Sequence, residues 1–302
     1  MFMGDKRFLT RTVKRVSGTE ARALSDRIAV EEPLDIQVAF GPESTRKWKT
    51  AAITMRTPGH DRELAVGFLV GEGLLRALDQ IEAAYPRGPR YVDEGWQHSV
   101  RVTLRPGVQL DLARLERNFY TTSSCGVCGK TSMEALELNF FPPLPAAGWQ
   151  VDEATLCALP ARLREAQAIF EQTGGLHAAG IFTPEGKAIV VREDVGRHNA
   201  VDKVIGAQFL AGRWPLSNSV LVVSGRASFE LMQKALASGI PMLVAVGAPS
   251  SLAVEVAEKF GATLIGFTKS NGFNIYTGEE RVRLGAREPA AVGAPSAVER
   301  IS

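Results

Sequence analysis

Cysteine and histidine are scarce in this sequence, with three and four residues among 302. Three cysteines cannot build a disulfide framework, so a reducing compartment, the cytoplasm, is the expectation. The histidines (His60, His98, His177 and His198) show no paired ligand spacing, which leaves a structural zinc site short of donors. Charge of one sign is not in excess either. Lys and Arg number 35 against 33 Asp and Glu, a net charge of +2. That balance argues against a non-specific nucleic-acid binder, which needs a marked basic surplus, although a local anion site stays open. Long apolar runs are absent as well. The longest, Val220–Val223 and Met242–Val246, are strand-length and far below the ~20 residues of a membrane helix. Asp5, Lys6 and Arg7 stand where a signal peptide would carry its apolar stretch.

What is present is a chain long enough to bury about three quarters of its unfolded surface, with 45% hydrophobic residues. Its organisation reads in four parts. Residues 1–120 form an N-terminal α+β lobe. Phe8–Val16, Leu34–Phe40 and Gln97–Leu104 alternate as strands, and a helix is expected to start at Thr57-Pro58, carrying Leu64, Ala65, Phe68 and Leu69 inward. Residues 121–150 hold a glycine-flanked CxxC loop and a connecting helix from Thr131 to Leu138. Residues 151–286 form a C-terminal α/β domain, and 287–302, rich in Ala and Pro, an expected disordered tail.

The C-terminal part is the most legible. A helix opening at Val151-Asp152 runs through Leu156, Leu159, Leu163, Ala166, Ile169 and Phe170 to a Gly174-Gly175 stop. A hairpin follows over His177–Phe182 and Lys187–Arg192, then a helix from about Asn199 to Leu210. Strand–loop–helix units at Val220–Val223 and Met242–Val246 and a last strand, Thr263–Phe267, complete it. Apolar strands alternating with amphipathic helices predict a parallel, doubly wound sheet with a hairpin at one side. Ligands of such sheets lie beyond the carboxyl ends of the strands. Here those ends present Ser224-Gly225-Arg226, Gly247–Ser251, and Thr268-Lys269-Ser270-Asn271-Gly272. Small and hydroxylated residues, two cations (Arg226, Lys269) and two helix N-termini favour an anion, and phosphate is the economical choice. Tight turns alone would also explain small residues. Neither a Walker-type loop nor GxGxxG is present.

Cys125-Gly126-Val127-Cys128 carries the chemistry. It could be half a zinc site completed by His177 and His198, a redox dithiol, or a nucleophilic thiol. A zinc deaminase mechanism fails, because His177-Ala178-Ala179 has alanine where the proton-transferring Glu of H-x-E belongs. Lys130 and a following helix N-terminus would favour the thiolate. Cys157 reads as a small filler in its helix, and Trp48, Trp96, Trp149 and Trp214 as ordinary packing.

Five motifs in order give the chain a family resemblance. They are Cys125–Gly129, Thr173-Gly174-Gly175-Leu176-His177, the run Glu193–Lys203, Ser224-Gly225-Arg226 and Gly239-Ile240-Pro241. Over roughly Thr12 to Tyr276 the sequence resembles the formate dehydrogenase accessory sulfurtransferases, the FdhD family. That resemblance implies a C-terminal cytidine-deaminase-like three-layer sheet with a smaller N-terminal α+β lobe, in a homodimer. It implies a sulfur carrier, loaded as a persulfide by a cysteine desulfurase. The sulfur would go to the molybdenum bis(molybdopterin guanine dinucleotide) cofactor that formate dehydrogenase requires. By the same resemblance Cys125 carries the persulfide, Cys128 assists, and Phe267-Thr268-Lys269-Ser270-Asn271-Gly272 contacts the cofactor, with no metal bound by the protein itself. The family loop tends to carry Arg where Lys269 stands and a second basic residue where Gly272 stands. Lys gives a point charge in place of a bidentate fork. His177 and His198 read either as cofactor-pocket residues or as buried structural histidines, and Asp194 and Arg197 either as functional groups or as a turn and a salt bridge.

Overall fold

The computed structural model describes residues 7–88, 97–111, 144, 146 and 148–285. The CxxC loop, the helix expected after it and the tail lie outside these residues.

The chain opens with a hairpin, β1 (Phe8–Ser17) and β2 (Glu20–Ala29). Next come β3 (Glu32–Phe40), β4 (Lys47–Arg56), α1 (Asp61–Gly71), β5 (Ile81–Arg87) and β6 (Ser99–Leu104). The sheet order is β4-β3-β6-β5, with β3 and β6 parallel. The second half contributes β7 (Val151–Asp152), α2 (Glu153–Glu165), α3 (Ala168–Thr173), β8 (His177–Phe182), β9 (Ala188–Asp194) and α4 (Arg197–Leu210). It continues with β10 (Val220–Val223), α5 (Phe229–Ala237), β11 (Met242–Ala245), α6 (Ser251–Lys259), β12 (Thr263–Lys269), β13 (Gly272–Thr277) and β14 (Val282–Arg283).

The main sheet has the order β13-β12-β11-β10-β8-β9. Its centre, β10, β11 and β12, is parallel, as expected for apolar strands joined through helices. Both margins are antiparallel: β8 and β9 on one side, and β13 on the other. The sheet is therefore mixed. The sequence pattern ended at Phe267 because the returning strand, Gly272–Thr277, is half-exposed and lacks an apolar run.

The period-two alternation of the strands sorts their side chains into two cores. Ala178, Val220, Val222, Met242, Val244 and Ile265 face Leu156, Leu159 and Leu163 of α2. Ala179, Ile181, Leu221, Val223, Leu243 and Leu264 belong to a larger core that includes α4, α5, α6 and α1 and reaches Ile36, Val38, Val100 and Val102 of the N-terminal sheet. Helix α1 thus lies in the layer between the two sheets and packs on α4.

Two local expectations are corrected. Helix α1 begins at Asp61, after Gly59 and His60 in left-handed conformations, and not at Thr57-Pro58. The polar groups of Thr57 are taken across the lobes. Its N–H donates to Asp194 Oδ2 (3.3 Å), its carbonyl accepts from Lys203 Nζ (2.9 Å), and its hydroxyl accepts from the Val195 N–H (3.2 Å). The helix expected from Val151 through Phe170 is broken at Ala166-Gln167. Glu193 explains the restart, since its carboxylate accepts the N–H groups of Ile169 (2.9 Å) and Phe170 (2.7 Å) at the start of α3.

The lobes are joined by charge as well as by apolar packing. Arg192 on β9 clasps Glu63 on α1 through two hydrogen bonds of 2.6 and 2.9 Å, and His60 Nδ1 lies 3.3 Å from the same carboxylate. Burial opposes ionisation of Glu63, but His60 and Arg192 outweigh it and hold the carboxyl at about 2. A carboxyl depressed in the folded state stabilises above its unfolded value and loses that contribution as pH falls toward the folded one. Stability is therefore expected to decline between about pH 4.5 and pH 2. Glu63, 21% exposed, accounts for roughly 2 kcal/mol of that decline after discounting for solvent screening. Denaturant titrations across this range should show a shallower decline for Glu63→Gln, and identical slopes would refute the assignment.

Candidate functional site

The carboxyl ends of β10, β11 and β12 converge on one rim, stitched by backbone hydrogen bonds. Ala178 N–H donates to Ser224 Oγ (2.9 Å) and Ser224 N–H to the Ala178 carbonyl (3.0 Å). Gly247 N–H donates to the Gly225 carbonyl (2.9 Å), and Phe267 N–H to the Gly247 carbonyl (3.1 Å). The loop after β10 is further tied to the loop after β11 by Ala227 N–H to the Ala248 carbonyl (3.1 Å) and Ser250 N–H to the Ala227 carbonyl (2.9 Å). The structure thus brings together Ser224, Gly225, Gly247 and Phe267, from segments that are separate in sequence.

The two helices beginning at this rim have serine N-caps. Ser250 accepts from Ala253 N–H (3.3 Å) and caps α6 in the usual way. Ser228, which precedes α5, makes no side-chain cap bond and instead lies 3.4 Å from His198 Nε2. His198 also faces Glu230 at 3.8 Å. The nearby His198 imidazole, assisted by Ser228 and opposed by burial, holds the Glu230 carboxyl at about 2. Glu230 carries no motif signal, because its role depends on a histidine of another helix.

The third segment is the end of a hairpin, not a loop. β12 runs on through Lys269, which pairs with Gly272, so Ser270 and Asn271 form an exposed tip. Within it Phe267 has φ 53°, uncommon for a bulky side chain, and is 45% exposed. Thr268 is buried, and its Oγ1 has no hydrogen-bond partner among the described residues. Arg226 and Lys269 are exposed and enter no ion pair among the described residues. The exposed Phe267 ring and the cations Arg226 and Lys269 are groups suited to a planar, anionic ligand, whereas the Thr268 hydroxyl lies beneath the surface.

The run Glu193–Lys203 divides between structure and rim. Asp194, fully buried, pairs with Lys203 at 2.7 Å and accepts from Gly196 N–H (2.9 Å) and Asn199 Nδ2 (3.0 Å). Asn199 also donates to the Met55 carbonyl (2.7 Å) and accepts from Thr54 Oγ1 (3.0 Å). Every one of these bonds ties β9 and α4 together or to the N-terminal lobe, so Asp194 has the structural role. His177, Arg197 and His198 face the rim; Arg197 Nε is buried with no hydrogen-bond partner among the described residues. Cys157 is a half-buried free thiol on α2, as a filler residue should be. Cys125 and Cys128 lie outside the described residues, and no helix of the described residues is long and apolar enough to cross a membrane.

Fold and rim together define a mixed α/β domain locked onto an N-terminal lobe through helix α1. The chain belongs to the FdhD/NarQ family, whose model matches residues 29–283. It is 47% identical over 292 residues to the sulfur carrier protein FdhD of Streptomyces avermitilis, covering 94% of this chain and 98% of that one. It is 48% identical over 276 residues to the protein of that name from Mycolicibacterium paratuberculosis (90% and 97%). With the one from Saccharolobus solfataricus the identity is 38% over 268 residues (89% and 95%). A solved structure from Desulfotalea psychrophila, provisionally described as a formate dehydrogenase accessory protein, shares the fold. It superposes with a TM-score of 0.69 at 23% identity, over 91% of this chain and 99% of that one.

Proposed function

We propose that this protein is a sulfur carrier of the cytoplasm that serves formate dehydrogenase. Cys125 takes sulfane sulfur from a cysteine desulfurase as a persulfide, with Cys128 assisting by exchange. The sulfur is delivered to the molybdenum of a bis(molybdopterin guanine dinucleotide) client held at the rim. The names of the relatives support sulfur carriage. The observation that carries the client assignment is the convergence of Ser224-Gly225-Arg226 with Phe267 on one rim. A guanine dinucleotide has a planar base and a pyrophosphate, which fit Phe267 and the cations Arg226 and Lys269. The order β9-β8-β10-β11-β12, with α2 on one face and α4 to α6 on the other, supports a cytidine-deaminase-like three-layer domain. The protein is a homodimer in this reading.

In such a reaction this chain's residues have three tasks. The rim holds the client by its phosphates, a thiolate supplies the nucleophilic sulfur, and the closed backbone of the loops keeps the geometry fixed while sulfur is passed. The test of the rim is charge reversal at a single exposed position. Guanosine diphosphate titrated calorimetrically into Lys269→Glu should bind at least tenfold more weakly than into the parent, because an attraction to phosphate becomes a repulsion. Equal affinities would remove Lys269 from the contact. The test of the function is complementation of a strain lacking its own carrier. Restored formate dehydrogenase activity supports the reading, and none, with the protein present and folded, contradicts it.

A further inference from the structure

No residue of the hairpin β1–β2 belongs to either apolar core, and none from Phe8 to Ala29 is buried. Among the described residues its two strands pair only with each other, in register from Phe8–Ala29 to Ser17–Glu20. The hairpin is therefore an arm about 30 Å long. Its base is tied down. Val30 N–H donates to the Arg7 carbonyl (2.9 Å), and Arg27 Nη1 donates to Gln172 Oε1 of α3 (2.6 Å). A Cβ on Gly175 would stand 3.8 Å from that of Ala29. Gly175 is two residues from His177, whose ring lies across from Gly225 of the rim, so the arm rises beside the rim.

A two-stranded ribbon standing alone in water is marginal at best, and this one leaves Leu9, Val16 and Ile28 exposed. Burying those side chains against another molecule would stabilise the arm and bind it at once. The register sorts the side chains into two faces. One carries Leu9, Ile28 and the half-buried pair Val13–Leu24, interleaved with Arg11, Arg15 and Arg22. The other carries Val16 with Lys14 and Arg27. Against these five cations stand two carboxylates, Glu20 and Asp26. The arm's net charge of +3 exceeds the +2 of the whole chain, so the remainder is net negative.

These features select the occupant. Neither face is apolar throughout, as seating in a lipid surface requires. The arm's sole aromatic ring, Phe8, lies under Arg27 (5.0 Å to the centroid), so no ring is free to stack on a base. A second arm would bring Arg15 and Arg22, which already face each other, against their own copies. Cations interleaved with aliphatic side chains fit an acidic protein face with apolar seats. We infer that the β1–β2 arm docks this protein on an acidic face of the formate dehydrogenase it serves. The inference deepens the reading proposed above, in which the rim holds the cofactor. An enzyme gripped along the arm is held beside that rim, so the arm's position selects the protein that receives the cofactor.

Formate dehydrogenase purified from a strain lacking its own carrier should be titrated with the parent and two variants, at low and at moderate salt. Lys14→Glu combined with Arg22→Glu reverses charge on both faces of the arm. At low salt this double variant should bind at least about tenfold more weakly than the parent. Parental affinity should fall as salt is raised, and the affinity of the double variant should not. The second variant replaces Val13–Leu24 by an Asn-Gly turn joining the paired Thr12 and Ser25, and it should also lose binding. Melting temperature, guanosine diphosphate affinity and sulfur uptake from a desulfurase should stay parental in both, because the arm adds nothing to the cores or the loops. Parental affinity for formate dehydrogenase in either variant overturns the inference, whatever changes in desulfurase binding, self-association, or binding to phosphatidylserine vesicles or RNA. A parent that does not bind formate dehydrogenase overturns it as well. A parent that binds the enzyme but takes up no sulfur refutes the carrier reading and leaves the docking role of the arm in place.

Discussion

Replacing Cys125 by alanine should abolish sulfur delivery while leaving the melting temperature within a degree or so of the parent's. The argument is chemical. A sulfane sulfur can be held covalently only by a sulfur nucleophile, and the chain has three thiols. Cys157 is half-buried on α2, whose Leu156 and Leu159 pack against the sheet face opposite α4 to α6. It is poorly placed to exchange sulfur with a second protein. That leaves Cys125 and Cys128, each followed by a glycine, Gly126 and Gly129. A glycine flank lets a thiol meet two different partners in turn, as a carrier must. Cys125→Ala is expected to reduce formate dehydrogenase activation to background, and Cys128→Ala to reduce it less, since its role is assistance. Parental activation by Cys125→Ala would transfer the carrier role to another residue. Cys125→Ser keeps the volume and polarity but not the nucleophilicity, and should fail equally.

The second large effect lies far from the rim, at the crossing of α1 and α4. Gly67 and Gly206 face each other there with no room for a side chain. A Cβ on Gly206 would sit 1.9 Å from the Glu63 carbonyl oxygen, and one on Gly67 would sit 1.8 Å from that of Asp202. Both obstacles are backbone, so no rotamer change relieves them and the helices must separate. Separation would pull at the bonds that join the same elements. These are Lys203 to Asp194 and Thr57, and Lys234, which reaches Asp202 (2.8 Å) and Glu72 (3.2 Å). Overpacking of this kind costs about 3 kcal/mol or more, a large part of a total stability of about 5–15 kcal/mol. Gly206→Ala is therefore expected to melt at least roughly 6–12 °C lower, or to fail to accumulate as soluble protein. Gly67→Ala should behave alike. A parental melting curve for either variant would mean that the two helices do not approach this closely.

These two sites differ in how far they can be read from sequence. The strands at Val220–Val223 and Met242–Ala245 and the inward face Val201, Val204, Ile205 and Phe209 of α4 follow from apolar periodicity alone, because burial on a sheet or helix leaves that pattern. The Gly67–Gly206 crossing leaves none. Each glycine sits in an ordinary helical stretch, and its meaning appears only when two segments far apart in sequence are docked. Thr57 is a similar case. Thr-Pro is a sound helix start by local chemistry, yet Asp194, Val195 and Lys203 claim its polar atoms and the helix begins at Asp61. Glu193–Lys203 stands out as a motif, but the motif cannot tell that Asp194 and Lys203 hold the lobes together while Arg197 and His198 face the rim. Loop composition located Ser224–Arg226 correctly at a strand end, but it put the last strand's end at Phe267 and a loop over Thr268–Gly272. It did not foresee that β12 continues to Lys269, or that Phe267 takes a left-handed backbone, since both arise from pairing with β13.

A sulfur carrier must hold sulfur covalently at some point in its cycle. Purified protein should be incubated with a cysteine desulfurase and free cysteine, desalted without reductant, and weighed intact beside its Cys125→Ala variant. The predicted result is one added sulfur atom on the parent, removed by reductant and absent from the variant. A parent whose mass is unchanged, or a variant that gains the same sulfur, would contradict it.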